Sequence, residues 1–325
     1  MSKINKLAVQ TAGLAKSYNG FWALKGIDFS VQKGEIFGFL GPNGAGKTTT
    51  LRIITGLSRS NRGDVFIFGH NIQKDEIWVK QHIGAVPEVS NLYPELSSLN
   101  NLIFIAQLYG IAKKSRRERA EDLLREFGLY DKRNVLFSQL SKGMKRSLTI
   151  AASLVHKPEI VFLDEPTIGL DVASSRHLRA LIQQLHRSGV TIFLTTHNIG
   201  EAEALCQRVA ILVKGEIISM DTVEALKRMT PAPQRLIFTV DGIKQGLKQQ
   251  LSRMERVKSL ELTNSSIEVQ CDDVDLVLEA VLKILRKEKV RIRAINTASA
   301  SLEDTFVHLT GLDLELMKID KELKP

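Results

Sequence analysis

The stretch GPNGAGKT, residues 41–48, decides the fold, because it matches the phosphate-loop pattern G-x-x-x-x-G-K-S/T at every fixed position. The apolar run EIFGFL at 35–40 favours a buried strand before it, and LRIITGL at 51–57 has helical spacing after it. Glycines let backbone N–H groups turn towards phosphate oxygens, and the helix start adds the positive end of its dipole. We therefore predict a nucleotide site in which Lys47 reaches the β- and γ-phosphates and Thr48 coordinates Mg²⁺.

Two acids, Asp164 and Glu165, end a second apolar run, IVFLDE at 160–165. Asp164 suits the orientation of Mg²⁺, and Glu165 suits the polarisation of the attacking water as a general base. Taken alone, a strand ending in two acids is more often the start of a solvated loop, so this prediction depends on the phosphate loop. A third run, VTIFLTTH at 190–197, ends in His197. Such nearly continuous apolar runs favour strands buried on both faces of a mainly parallel sheet.

Composition narrows the class of protein. The 325 residues predict two domains, and 43% hydrophobic with 25% charged residues excludes disordered and coiled-coil chains. The formal net charge is +9, and the whole excess lies in residues 1–230, which indicates an anionic partner: nucleotide phosphate, nucleic acid or an acidic membrane surface. Two distant cysteines exclude a disulfide framework and favour a reducing intracellular compartment. We expect neither a signal peptide nor a membrane span.

The segment LSKGMKR at 140–146 predicts the start of a helix, with Ser141 as its N-cap. A helix start offers a hydroxyl and free backbone N–H groups to an anion. An ordinary capped helix has the same pattern, so the segment by itself leaves both interpretations open.

In chain order, the phosphate loop, LSKG at 140–143, LDEPT at 163–167, GLD at 169–171 and TTH at 195–197 resemble the ATP-binding subunit of an ATP-binding cassette (ABC) transporter. The resemblance covers about two-thirds of the chain, residues 7–228. It implies an α/β fold: a P-loop NTPase cassette with a RecA-like core sheet, an antiparallel β subdomain and a helical subdomain at about residues 89–140. It also implies ATP hydrolysis, with ATP and Mg²⁺ as cofactors.

The resemblance assigns roles at the nucleotide. In this family two cassettes meet head to tail, so Ser141 and Gly143 would contact the γ-phosphate held by the partner, and Asp171 would communicate across the dimer. His197 would bind the γ-phosphate, although a lone His after an apolar strand is more often structural. Tyr18 would stack on adenine, unless Phe21 or Trp22 nearby is ordinary core.

The resemblance implies three overlapping sets of site residues. The catalytic residues would be Glu165, His197 and Lys47, and the metal ligands Thr48, Glu88 and Asp164. The nucleotide-binding residues would be Tyr18, Gly41, Pro42, Asn43, Gly44, Ala45, Gly46, Lys47, Thr48, Thr49, Glu88, Ser141, Gly143, Asp164 and Asp171.

Three residues depart from the family's pattern. Lys142 and Met144 replace a glycine and a glutamine in the serine-glycine segment, and Glu88 stands where a glutamine is usual. Ser141 and the second glycine are kept, and a carboxylate at 88 can still reach a metal or water. We expect ATP hydrolysis to be retained.

The remainder of the chain predicts a second domain. We expect a cassette at 1–230 and an accessory α+β domain at 231–325, with the boundary at TPAP, residues 230–233. Strand and helix patterns in the tail follow the order βαββαβ, which is typical of a ferredoxin-like unit. This domain would bind a small effector or strengthen the dimer.

The resemblance also implies partners. We expect an integral-membrane permease subunit and a second ATP-binding subunit, with a homodimer favoured, at the cytoplasmic face of the cell membrane. The tail and the LSKGMKR segment resemble those of ATPases that serve exporters. The alternative is an ABC-type ATPase acting on nucleic acid or ribosomes, but a second cassette, a long coiled coil and a cysteine cluster are missing, so no nucleic-acid partner is expected. The basic run KKSRRER at 113–119 is interpreted as a solvated helix or loop or, secondarily, as a segment attracted to anionic lipid head groups.

Overall fold

The computed structural model describes residues 6–230, 234–243, 247–252, 254, 256–271, 273–298 and 300–312. The described chain forms two compact units, residues 6–223 and Glu224–Leu312. Each unit has its own hydrophobic core. Residues 231–233 of the predicted boundary, 230–233, lie outside the described residues, and the extents of the two domains stay a prediction.

The first unit alternates strands and helices. Its strands are β1 (Leu7–Tyr18), β2 (Phe21–Ile27), β3 (Ser30–Gln32), β4 (Ile36–Leu40), β5 (Arg62–Ile67), β6 (His70–Asn71), β7 (Ile83–Val86), β8 (Ile160–Asp164), β9 (Thr191–Thr196), β10 (Arg208–Val213) and β11 (Glu216–Thr222). Its helices are α1 (Lys47–Ile54), α2 (Glu76–His82), α3 (Ser98–Leu108), α4 (Lys113–Glu126), α5 (Lys142–Ser153), α6 (Val172–Arg187) and α7 (Ile199–Leu205), and α8 (Val223–Arg228) begins at the boundary of the units.

The central sheet has the strand order β11-β10-β4-β9-β8-β7, with parallel pairing throughout except between β10 and β11. Every residue of β4, β8 and β9 is buried, as their continuous apolar runs predict. The register places Leu40 beside Thr196 and Asp164 beside Thr195. The carboxyl ends of these three strands therefore meet at one edge of the sheet, where open α/β sheets bind ligands.

The other two layers of this unit match the predicted fold class. An antiparallel sheet has the order β2-β1-β5-β6, with β3 also paired to β1. Helices α3 and α4 lie in the stretch expected to be helical and pack on each other. Arg119 of α4 donates to the carbonyls of Leu154 (2.7 Å) and Val155 (3.1 Å), directly after the end of α5. Part of the basic run 113–119 therefore stabilises the helical layer.

The second unit contains β12 (Gln234–Val240), α9 (Leu247–Ser252), β13 (Val257–Thr263), β14 (Ser266–Cys271), α10 (Val274–Lys287), β15 (Ile292–Ala298) and α11 (Leu302–Thr310). Its sheet has the order β13-β14-β12-β15, and all pairs are antiparallel. The chain order βαββαβ is the predicted one, while the ferredoxin-like assignment stays a prediction. Helix α11 starts with a capping box between Ser301 and Asp304. Among the described residues, no helix has the length and apolar character needed to cross a membrane.

Candidate active site

The phosphate loop joins the end of β4 to the start of α1. Gly44 and Gly46 have φ values of +80° and +109°, a region that L-residues rarely adopt. A Cβ on Gly41 would lie 2.1 Å from the carbonyl oxygen of Leu212, and one on Gly46 would lie 2.6 Å from that of Ala23. The glycines are therefore required for the path of the chain. No side chain caps the start of α1, which leaves its first N–H groups directed at the loop.

Lys47 places its ammonium group inside the loop. Its Nζ donates to the carbonyl oxygens of Gly41 (2.6 Å) and Pro42 (3.2 Å), and it lies 3.3 Å from Oε1 of Glu165. Burial lowers the pKa of Lys47, against the opposing effect of the Glu165, Asp164 and Glu88 carboxylates. A buried cation between the loop and an acid can neutralise the charge of a bound phosphate.

Asp164 is buried at the end of β8. Its Oδ1 accepts hydrogen bonds from Thr195 Oγ1 at 2.5 Å and from Thr48 Oγ1 at 3.4 Å. Burial raises the pKa of Asp164, and the nearby charges of Glu165 and Glu88 raise it further, while the two threonine hydroxyls oppose the shift. A carboxyl that is costly to ionise in this setting is suited to a cation.

The donor set fits Mg²⁺ that is shared with phosphate oxygens. In the part of the chain that the structure describes, no group of three or more His, Cys, Asp or Glu side chains is arranged to hold a metal by itself. Thr48 and Asp164 lie within hydrogen-bond distance of each other, and the charge of Glu88 is near enough to raise the pKa of Asp164. One or two carboxylates plus substrate phosphates is the usual protein environment of Mg²⁺.

Glu165 is held from both sides. Its φ of +46° is unusual for this residue, and its backbone N–H donates to the carbonyl oxygen of Thr195 at 3.1 Å. Oε2 lies 2.9 Å from Nδ1 of His197 and accepts from the backbone N–H of His197 at 3.3 Å, while Oε1 faces Lys47. Burial alone would raise the pKa of Glu165, but the hydrogen bond from His197 and the charge of Lys47 lower it. The side chain is thus an ionised, oriented carboxylate.

Ser141, Gly143 and Asp171 form a second group. The Ser141 hydroxyl accepts from the N–H of Met144 at 3.3 Å and caps α5 as predicted. A Cβ on Gly143 would lie 2.7 Å from Oγ of Ser174, whose N–H and hydroxyl both donate to Asp171 at 2.8 Å. These hydrogen bonds lower the pKa of Asp171. The starts of α5 and α6 are therefore packed together.

The aromatic residues near the chain start are at the surface. Tyr18 is 44% exposed, Phe21 69% and Trp22 39%. The alternative that Phe21 or Trp22 is ordinary core is therefore wrong, because both rings reach solvent. Lys16 Nζ lies 5.0 Å from the centre of the Tyr18 ring. Stacking of Tyr18 on adenine stays a prediction.

Two residues absent from the predicted set complete the site. Thr195 hydrogen-bonds Asp164, and Arg146 of α5 donates to the main-chain carbonyl oxygens of Asp164 and Pro166. Thr195 could have been found from the TTH motif, because neighbouring parallel strands end at the same edge. For Arg146 the sequence offered one signal, which is that a charged residue lies on the apolar face of a predicted helix.

Comparisons with known proteins agree with this geometry. The sequence model of the ABC transporter family matches residues 24–168. The linearmycin resistance ATP-binding protein LnrL of Bacillus subtilis (strain 168) is 33% identical over 308 residues, 94% of this chain and 99% of that protein. The daunorubicin/doxorubicin resistance ATP-binding protein DrrA of Streptomyces peucetius is 34% identical over 312 residues, 94% of this chain and 92% of its own.

Solved structures resemble the cassette. An ATP-binding subunit of an ABC transporter superposes with a TM-score of 0.62 at 30% identity and covers 68% of this chain and 92% of its own. A dimeric ATP-binding cassette in a post-hydrolysis state, bound to ADP and phosphate, has a TM-score of 0.61 at 28% identity over 66% of this chain and 98% of its own. Nothing in these comparisons supports the nucleic-acid or ribosome alternative. The resemblance drawn from the ordered motifs is thus confirmed, and the chain belongs to the ABC transporter family as an ATP-binding, ATP-hydrolysing subunit.

Proposed function

We propose that this subunit drives export, by closing on ATP as a dimer and transmitting that movement to a separate membrane permease. The contact of Glu165 with both Lys47 and His197 carries the hydrolytic part of the proposal, because it places a charged base beside the phosphate loop. The direction of transport is supported by relatives named for drug resistance or export, including a fluoroquinolones export ATP-binding protein of Mycobacterium tuberculosis. Two of them match 94% of this chain, so the likeness extends into the second unit.

The site residues have separate tasks in hydrolysis. The loop N–H groups and Lys47 bind the phosphates and neutralise their charge. Thr48 and Asp164, with Glu88, would hold Mg²⁺, which supplies further positive charge to the phosphate oxygens. Glu165 accepts a proton from the attacking water, as a general base. His197 keeps the Glu165 carboxylate oriented through the 2.9 Å contact.

A second copy of the chain would complete each site. Ser141 and Gly143 lie at the start of α5, packed against the start of α6, which Asp171 caps. The first turn of α5 also carries Lys142 and Lys145. A helix start with added basic residues favours an anion. We therefore assign Ser141 and Gly143 to the γ-phosphate held by the partner copy, and Asp171 to the contact between copies.

An apolar groove suits the permease. A cavity of about 450 Å³ is lined by the end of α1, by β7, α3 and α5, and by the segment after β7. Leu57 and Leu108 line it and are 68% and 65% exposed. Pro87 lines it too, directly before Glu88. An amphipathic helix of the permease fits such a groove, and its docking would act on the segment that carries Glu88.

The test is co-purification from detergent with an integral membrane protein encoded beside this gene. We expect Leu108→Glu to abolish co-purification and to leave ATP binding unchanged, because it puts a charge into the groove. Ile77→Glu is the matched control, since Ile77 is 78% exposed on α2 and does not line the groove. Equal retention of both variants by the permease would refute the docking site. Retention on ribosomes or DNA at physiological salt would instead contradict the transport function.

A further inference from the structure

Arg146 joins α5 to two active-site segments. Its side chain is buried, and its Nε donates to the carbonyl oxygen of Pro166 at 3.0 Å. One terminal nitrogen donates to the carbonyl oxygens of Pro87 (2.5 Å) and Glu88 (3.3 Å), and the other to that of Asp164 (2.5 Å). All three guanidinium nitrogens therefore donate hydrogen bonds to main-chain carbonyls, in the segment of Glu88 and in the segment of Asp164.

The charge of Arg146 is surrounded by acids. Burial lowers the pKa of Arg146 to about 10, so the group stays protonated at neutral pH. The charges that oppose the shift come from Asp164, Glu201, Glu88 and Glu165. Within the described residues, Lys47 and Arg146 are the two cations that are buried. Lys47 serves the phosphate loop, which leaves Arg146 as the buried cation on the metal side.

A second contact ties the same segment to α5. Oγ of Ser90 lies 2.8 Å from Oγ1 of Thr149, one turn along α5 from Arg146. The segment 87–90 is therefore hydrogen-bonded to α5 through two side chains, Arg146 and Thr149. Because α5 follows its N-cap Ser141 directly, one helix connects the serine-glycine segment with the main chain of Glu88 and of Asp164.

We propose that Arg146 is a positioning residue for the ATPase reaction, which holds the main chain of Glu88 and of Asp164 in one frame so that both carboxylates meet the same Mg²⁺–ATP. The inference rests on the proposed nucleotide and metal site. Lysine in place of Arg146 keeps the charge but cannot reach four carbonyl groups in three directions. Losing such a supporting contact typically costs 10–100-fold in metal affinity or activity.

The experiment compares Arg146→Lys with Arg119→Lys. Arg119 is the matched control, because it also donates to two main-chain carbonyls, those of Leu154 and Val155 directly after the end of α5. In a Glu165→Gln background, size-exclusion chromatography measures the Mg²⁺ concentration that gives half of the ATP-trapped dimer. We expect Arg146→Lys to raise this concentration about 10–100-fold, with ATP binding in EDTA unchanged, and Arg119→Lys to change neither.

The outcomes are separable. If Glu165→Gln alone gives no Mg²⁺-dependent dimer, the proposed function fails and the positioning role fails with it. Suppose instead that Glu165→Gln alone forms the Mg²⁺-dependent dimer. The positioning role alone is then overturned if Arg146→Lys needs the same Mg²⁺ concentration, or if it weakens ATP binding in EDTA as much as it raises the Mg²⁺ requirement. If Arg146→Lys does not fold by thermal melting, Arg146→Gln, whose amide keeps two N–H donors, is judged by the same criterion: a raised Mg²⁺ requirement supports the role, and an unchanged one overturns it.

Discussion

Asp164→Asn is expected to stabilise the nucleotide-free protein while it impairs the site. The carboxyl of Asp164 is buried among acids, and burial raises its pKa above the ordinary 3.8. A raised pKa in the folded state means that stability is lost as pH rises from 3.8 through the shifted value. At neutral pH the ionised group therefore costs stability. Asparagine cannot ionise, and its carbonyl oxygen still accepts the hydrogen bond of Thr195.

The expected gain is about 1 kcal/mol, within the 0.5–2 kcal/mol that single stabilising substitutions commonly give. For a unit of this size that gain raises Tm by about 2–4 °C. Differential scanning calorimetry from about pH 4 to pH 8 without nucleotide measures it, and the loss of stability as the pH rises above 3.8 should be smaller in the variant. Asp171→Asn is the control: Asp171 is an exposed helix cap whose pKa is lowered, so its Tm should stay equal or fall slightly. A lower Tm for Asp164→Asn, or an unaltered pH dependence, would refute the reasoning.

Three further substitutions test the phosphate loop and the stacking of Tyr18 on adenine. Lys47→Ala should weaken ATP binding about 10–100-fold, because it removes charge-assisted hydrogen bonds to phosphate; tight binding in a calorimetric titration would exclude the assigned role. Gly46→Ala should cost at least about 1–3 kcal/mol more than Gly44→Ala in urea unfolding, since only Gly46 has a carbonyl oxygen 2.6 Å from the added Cβ; equal costs would contradict this. Tyr18→Ala should lose about 1–3 kcal/mol of ATP affinity by removing a stacking ring, while Phe21→Ala should bind as tightly as the unaltered chain; a loss in both would remove the assignment.

The local part of the site was predictable from the sequence. The phosphate loop, the acid pair and His197 each follow a buried strand directly, and parallel strands that end together bring such residues to one edge. The core sheet followed from the same apolar runs. Motif order, rather than any single motif, decided the family.

Contacts between distant segments were not predictable. Arg146 acts on main-chain groups 18–59 residues away, and no spacing rule connects them. In the basic run at 113–119, Arg117 forms an exposed ion pair with Glu121, whereas Arg116 donates to the carbonyl oxygen of Ile111 and Arg119 donates to that of Leu154. The run is therefore only partly a solvated helix face. Helix α2 has seven residues, which is too short for a helical period to be recognised.

The most direct test of the central claim, that Glu165 is the base of an ATP-driven dimer, is the mass of Glu165→Gln with ATP and Mg²⁺, measured by light scattering. Glutamine keeps the shape of the side chain and cannot accept the proton, so turnover should fall by about 10²–10⁴-fold. The account predicts a stable particle of twice the mass of one chain with ATP intact. A monomer that binds ATP, or a variant that hydrolyses ATP at the unaltered rate, would contradict it.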